Sequence, residues 1–149
     1  MASRQRESRR GDRRYAAIRD LRDVGADLVS HCHDLEDSAL QLRKSHEPGR
    51  TPLDTFRKDD LYRRMLEAKQ VIDRSTTLIA MLAPEEIVDK ANEIPQLASD
   101  LGRYSEDAEF DYSEIRTEYS ETIADFIMLM REHLGADQPS SGDKRRTTP

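Results

Sequence analysis

The chain has 149 residues, 36% of them charged and 36% hydrophobic, with no Trp, a single Cys and a net charge of −6. That length suits one domain, the acidic balance argues against a generic nucleic-acid binder, and one cysteine excludes an intramolecular disulfide framework. Leu, Ile, Val and Phe number 29, low enough that only residues in helical register are expected to order; the two ends lack such register.

Charge is unevenly distributed. Residues 1–22 carry eight arginines against three acids, residues 23–82 are nearly balanced, residues 83–137 carry four bases against fifteen acids, and residues 138–149 are again basic. Nineteen Arg against five Lys reads as genome base composition rather than a binding device. The first residues form no signal peptide, since no apolar region follows the charged one. The longest apolar runs, Leu78–Ala83 and Phe126–Met130, are too short to span a bilayer. A cytoplasmic protein, at most peripheral to a membrane, is expected.

Residues 1–12 have no apolar face and read as a basic flexible arm. Arg4, Arg6, Arg9, Arg10, Arg13 and Arg14 make it a candidate for anion binding, to nucleic acid or an anionic membrane surface. No aromatic accompanies them before Tyr15, and no nucleic-acid-binding motif is present, so a solvated arm is the alternative. The first helix then runs from about Arg13 to Ser45. Ile18, Leu21, Gly25, Leu28, Cys32, Leu35, Ala39 and Leu42 recur at alternating three and four residues, the seam of a long amphipathic helix with coiled-coil spacing. A Gly on such a seam marks either close approach of a neighbour or mere tolerance.

His46–Arg50 contains Pro and Gly together and reads as a turn. Thr51 as N-cap, with Pro52 behind it and Asp54 in the first turn, signals a new helix; a second start near Asp59–Asp60 would make Thr51–Lys58 a separate turn. The second helix carries Leu61, Met65, Ala68, Ile72, Ser75, Ile79 and Leu82 inward, and the short turn pairs it antiparallel with the first. Pro84, followed by two glutamates, stops it and opens a third helix. That helix buries Ile87 or Val88, Ala91, Ile94, Ala98 and Leu101, ends at Gly102, and is kinked or divided by Pro95. After an acidic connection over Arg103–Phe110, a fourth helix runs from about Asp111 to Leu134. Its inward residues are Tyr112, Ile115, Tyr119, Ile123, Phe126, Met130 and Leu134, with Gly135 as its stop.

The expectation is an all-α antiparallel four-helix bundle over 13–135, with a long N-terminal helical hairpin, a kinked third helix and disordered ends, the C-terminal one over 136–149.

Residues with chemical potential are few. His31-Cys32-His33-Asp34 suggests a metal or thiol site, but His31 and His33 lie about 200° apart around a helix, and Cys32 falls on the seam, where a thiol is ordinarily a small buried hydrophobe. His31 and Asp34 share a face, yet two ligands do not complete a site. A di-iron carboxylate bundle needs Glu-x-x-His; the residues three before each His are Leu28, Ser30, Arg43 and Met130. No EF-hand loop, Gly-rich phosphate loop or nucleophile arrangement occurs. The expectation is therefore no enzyme, no cofactor and no metal.

Asp111, Glu114, Glu118, Glu121 and Asp125 form an acidic stripe beside the buried face of the last helix. Like charges at this spacing repel, so the stripe is either a solvated face balanced by arginines of the first two helices or a docking face for a basic partner. The expected function is that of a helical interaction or regulatory module, engaging a protein partner or itself, with no small-molecule substrate.

Three stretches, RRYAAIRDL at Arg13–Leu21, IAMLAPEEIVDKA at Ile79–Ala91 and ADFIMLMREHLG at Ala124–Gly135, resemble a broad group of uncharacterised actinobacterial helical proteins. These pair a hydrophobic-Pro-x-x-hydrophobic helix junction with a final helix ending in an Arg-Glu-x-Leu-Gly type run. The resemblance spans roughly 13–135 and rests on helix-packing motifs, so it implies the helical fold and no mechanism. Many members carry a transmembrane helix just before the basic stretch. Here Met1 opens directly on the arginines, which makes the cluster a candidate juxtamembrane remnant.

Overall fold

The computed structural model describes residues 2–107 and 109–136, and the side chains within 11–107 and 109–135. The chain is all-α, and no strand occurs among the described residues. The described residues form four helices, the third bent into two segments: α1 (Ala2–Lys44), α2 (Thr55–Leu82), α3 (Glu85–Asn92), α4 (Ile94–Tyr104) and α5 (Tyr112–Ala136). No described helix is long and apolar enough to cross a membrane.

The seam on α1 is buried as its spacing predicts. Leu21, Leu28, Cys32, Leu35, Ala39 and Leu42 are at most 2% exposed, while Ile18 at the upper end is half-buried. Facing it are Leu61, Ala68, Ile72, Ser75 and Ile79 of α2, then Ile87 and Ala91 of α3, Ile94, Ala98 and Leu101 of α4, and Tyr119, Ile123, Phe126 and Met130 of α5, all buried. Of the pair offered at the start of the third helix, Ile87 is the core residue and Val88 is only half-buried.

Helix α1 begins at Ala2, well before the expected start near Arg13, so the arm over residues 1–12 is helical from Ala2 onward. Arg, Gln, Glu and Ala are good helix formers, and a helix nucleated by packing farther along propagates into such residues without needing an apolar face. At about 1.5 Å per residue the 43-residue helix is about 65 Å long. The C-terminal stretch from 137 lies outside the described residues; Ala136 belongs to α5.

The turn after α1 reverses at Gly49, whose φ of +84° only glycine adopts without strain. Helix α2 starts neither at Thr51–Pro52 nor at Asp59. Asp54 is the N-cap, its Oδ1 accepting from the Arg57 amide at 2.7 Å; the expected first-turn acid is the cap itself. Pro84 stands between α2 and α3. Pro95, in the first turn of α4, divides the third helix at Glu93, which keeps helical dihedrals of −75° and −22°. The outcome is a bend rather than a reversal.

Two glycines expected as helix stops are not. Gly102 lies inside α4, which continues to Tyr104, and Gly135 lies inside α5. A Cβ on Gly102 would stand 3.0 Å from Met65 Cε, and one on Gly25 would stand 2.6 Å from Met130 Cε. Gly25 therefore marks the close approach of α5 to α1, and Gly102 that of α2 to α4.

Candidate interaction surface

Two long-range polar contacts fix α5 against α1. Tyr119 donates its hydroxyl to the Cys32 carbonyl at 2.6 Å, and Arg116 on α5 meets Glu36 on α1 at 3.2 Å. At the end of α1, Arg43 donates to the carbonyls of Asp107 at 2.6 Å and Phe110 at 3.2 Å. Its guanidinium carbon also lies 5.8 Å from the Tyr112 ring centroid. These bonds rotate α5 so that its acidic stripe faces outward.

The stripe divides into three parts. Asp111 precedes α5 and takes the role of a cap: its carboxylate accepts from the Ser113 hydroxyl at 2.6 Å and the Ser113 amide at 3.2 Å, and the Ser113 hydroxyl bond first of all holds it below the usual carboxylate range. Glu114, Glu118 and Glu121 are exposed and line a shallow depression with Ser113 and Thr117. None of the three makes an ion pair among the described residues. Asp125 stands apart, 3.9 Å from the Lys90 ammonium, which is closer to Glu93 at 2.9 Å.

The contrast with α2 is instructive. There Asp60 pairs with Arg63 and Arg64, Glu67 with Arg63, and Asp73 with Lys69, at spacings of three or four residues. Helix α2 neutralises its own charge. Along α5 the cations that could do so are Arg116, committed to Glu36, and Arg131, beyond the stripe. Among the described residues, arginines of the first two helices form no ion pair with Glu114, Glu118 or Glu121.

At the start of α5 the acids meet aromatic surface. Tyr104 and Phe110 stack with ring centroids 4.2 Å apart and planes 9° from parallel. Together with Glu109, Asp111, Glu114 and Glu118 they line an open groove of about 430 Å3. Arg103 caps this stack from one side, its guanidinium carbon 5.0 Å from the Tyr104 centroid. Sequence reasoning passed over the pair, because both rings fall in a stretch read only as an acidic connection. The available signal is two aromatics six residues apart in a polar stretch.

A second groove of about 560 Å3 lies between α1 and α5, floored by Val29, Phe126, Ile127 and Met130, with Arg22 and Arg131 at its edge. The small residues Gly25 and Ala26 on α1 are its signal in the sequence.

The His-Cys-His-Asp run is spread around α1, with His31 half-buried and His33 and Asp34 exposed. His31 donates from Nδ1 to the Asp27 carbonyl at 2.8 Å. Cys32 is fully buried, and burial pushes its thiol up to about 12. No group of three His, Cys, Asp or Glu positioned to hold a metal occurs among the described residues. Of the basic arm, Arg13 and Arg14 are exposed; the side chains of Arg4, Arg6, Arg9 and Arg10 lie outside the described residues.

Comparison of the chain with protein-family models, with curated proteins and with solved structures gives no match.

Proposed function

We propose that this chain is a non-enzymatic helical interaction module, an antiparallel four-helix bundle that docks a basic segment of a protein partner along the outer face of α5. The reading rests on one observation: Glu114, Glu118 and Glu121 stand exposed on consecutive turns with no ion partner among the described residues. A helix that leaves three carboxylates unbalanced accepts self-repulsion of some tenths of a kcal/mol per pair, and a basic partner relieves it. Lys or Arg side chains reaching Glu114 and Glu118 would also meet the Tyr104–Phe110 stack, where cation–π attraction adds to the ion pairs. Such docking is electrostatically steered and weakens with salt.

The test is a triple reversal, Glu114→Lys, Glu118→Lys and Glu121→Lys, followed by affinity purification from the native host at low and high salt. The expected result is loss of the partner with the helical content intact. Partners unchanged by the reversal overturn the reading.

The continuation of α1 to Ala2 favours a second reading, in which the arginines over residues 4–14 bind an anionic surface from one helix, on a membrane or nucleic acid. Deleting residues 1–12 would then abolish salt-sensitive binding to anionic liposomes or DNA.

A further inference from the structure

The outer surface of α5 carries a second seam, different from the one it buries. Glu121, Ala124, Met128, Arg131 and Gly135 recur at alternating three and four residues, and all five are exposed. Met128 stands at the centre with 60% of its surface open to solvent. Asp125 and Arg131 lie three residues to either side of it. Arg131 has no ion partner among the described residues, and Asp125 has only the Lys90 ammonium at 3.9 Å.

Opposite charges placed symmetrically about an exposed apolar residue distinguish between ways of pairing this helix with its own copy. A parallel copy in register sets Arg131 beside Arg131 and Asp125 beside Asp125. An antiparallel copy, related by a two-fold axis at Met128, sets each Arg131 beside the other's Asp125 and joins the two thioethers. It also leaves small residues, Ala124 and Gly135, where the backbones approach. This is the self-complementary pattern of an isologous contact. A single helix pair is less than the roughly 1,200–2,000 Å2 of a stable interface. The apolar groove between α1 and α5, which shares Ile127 and Arg131 with this side of the helix, supplies further surface to cover.

We propose that the occupant of this face is a second copy of the chain, forming a two-fold homodimer in which the α5 helices pair antiparallel about Met128 through reciprocal Arg131–Asp125 ion pairs. The inference rests on the reading of α5 as an interaction face and names a partner for its C-terminal half.

Sedimentation velocity on the purified 149-residue chain tests it. The native chain sediments as a dimer. Arg131→Asp faces acids with acids at both reciprocal positions, Asp125→Arg faces arginines with arginines, and each variant alone is monomeric. An equimolar mixture of the two recovers a dimer, because one supplies two acids and the other two arginines at matching positions. Circular dichroism establishes that each variant keeps its helical content. A native chain that is monomeric at its highest soluble concentration, single variants that remain dimeric, or a mixture that stays monomeric overturns the proposal. Arg131→Asp keeps Glu114, Glu118 and Glu121, so capture of a basic partner by that variant is read independently of dimerisation.

Discussion

The hydroxyl of Tyr119 and the main-chain carbonyl of Cys32 form a buried hydrogen bond of 2.6 Å between α5 and α1. Both residues are fully enclosed, so water offers neither group a substitute. Tyr119→Phe keeps the ring and removes the bond. Because the Cys32 carbonyl lies within a helix and retains its own backbone partner, the cost is that of one bond without an orphaned acceptor, about 1 kcal/mol. Chemical denaturation should report that loss with an unchanged slope.

Three buried groups, the Cys32 thiol and the Tyr112 and Tyr119 hydroxyls, should make the fold sensitive to alkaline pH. Burial pushes the Cys32 thiol from 9.0 to about 12 and the Tyr112 hydroxyl from 10.0 to about 12, and burial raises Tyr119 further still. Each raised group binds its proton more tightly folded than unfolded. Its stabilisation is complete below the unfolded value and is lost as pH rises toward the folded one. Stability should therefore be level to about pH 9 and fall between 9 and 12. Cys32→Ala removes the first of these groups to ionise and should make the decline begin later. In the native state below pH 9, thiol reagents should label Cys32 only as fast as the chain opens.

The two close-approach glycines should respond differently to alanine. Either substitution gains about 1 kcal/mol of helix propensity. At Gly102 the new methyl meets only the tip of Met65, at 3.0 Å, in a half-buried side chain with room to shift, so Gly102→Ala should stabilise by up to about 1 kcal/mol. At Gly25 it would stand 2.6 Å from Met130 Cε, and the larger displacement should cancel or reverse the gain. Gly25→Ile, which overfills the site, should cost about 1–3 kcal/mol. Denaturation midpoints of the three variants give the order directly.

Arg43 spans two carbonyls of the connection before α5. Arg43→Ala should cost about 1–2 kcal/mol and raise hydrogen exchange across 105–111. Arg43→Lys should recover little, because a single ammonium cannot reproduce the fork that reaches both Asp107 and Phe110.

The buried faces were legible in the chain because helical spacing maps onto burial directly. Leu21 through Leu42 on α1 follow from it residue by residue, as do Leu61, Ala68, Ile72, Ser75 and Ile79 on α2, whereas Met65 and Leu82 of the same seam are only half-buried. The helix ends were less so. Thr51-Pro52 and Asp54 all carry start chemistry, and the competition is settled by whose oxygen reaches the Arg57 amide. The stretch from Ala2 to Asp12 has no periodicity to read, although its residues are intrinsically helical. On α5 the acidic stripe was visible as a pattern, but its lack of cationic partners was not. That depends on the rotation set by Tyr119–Cys32 and Arg116–Glu36, which pairs residues 87 and 80 positions apart.

Those long separations also imply an order of events during folding. Helices α1 and α2 are joined by the ten residues 45–54, a loop that closes at little entropic cost, whereas docking α5 onto α1 closes a far longer one. The hairpin should assemble while α5 is still searching. The Tyr119–Cys32 bond then belongs to the last step of folding and the first of unfolding. Its removal should speed unfolding and leave the refolding rate nearly unchanged, so that a bond at the centre of the core governs how long the molecule lasts rather than how quickly it forms.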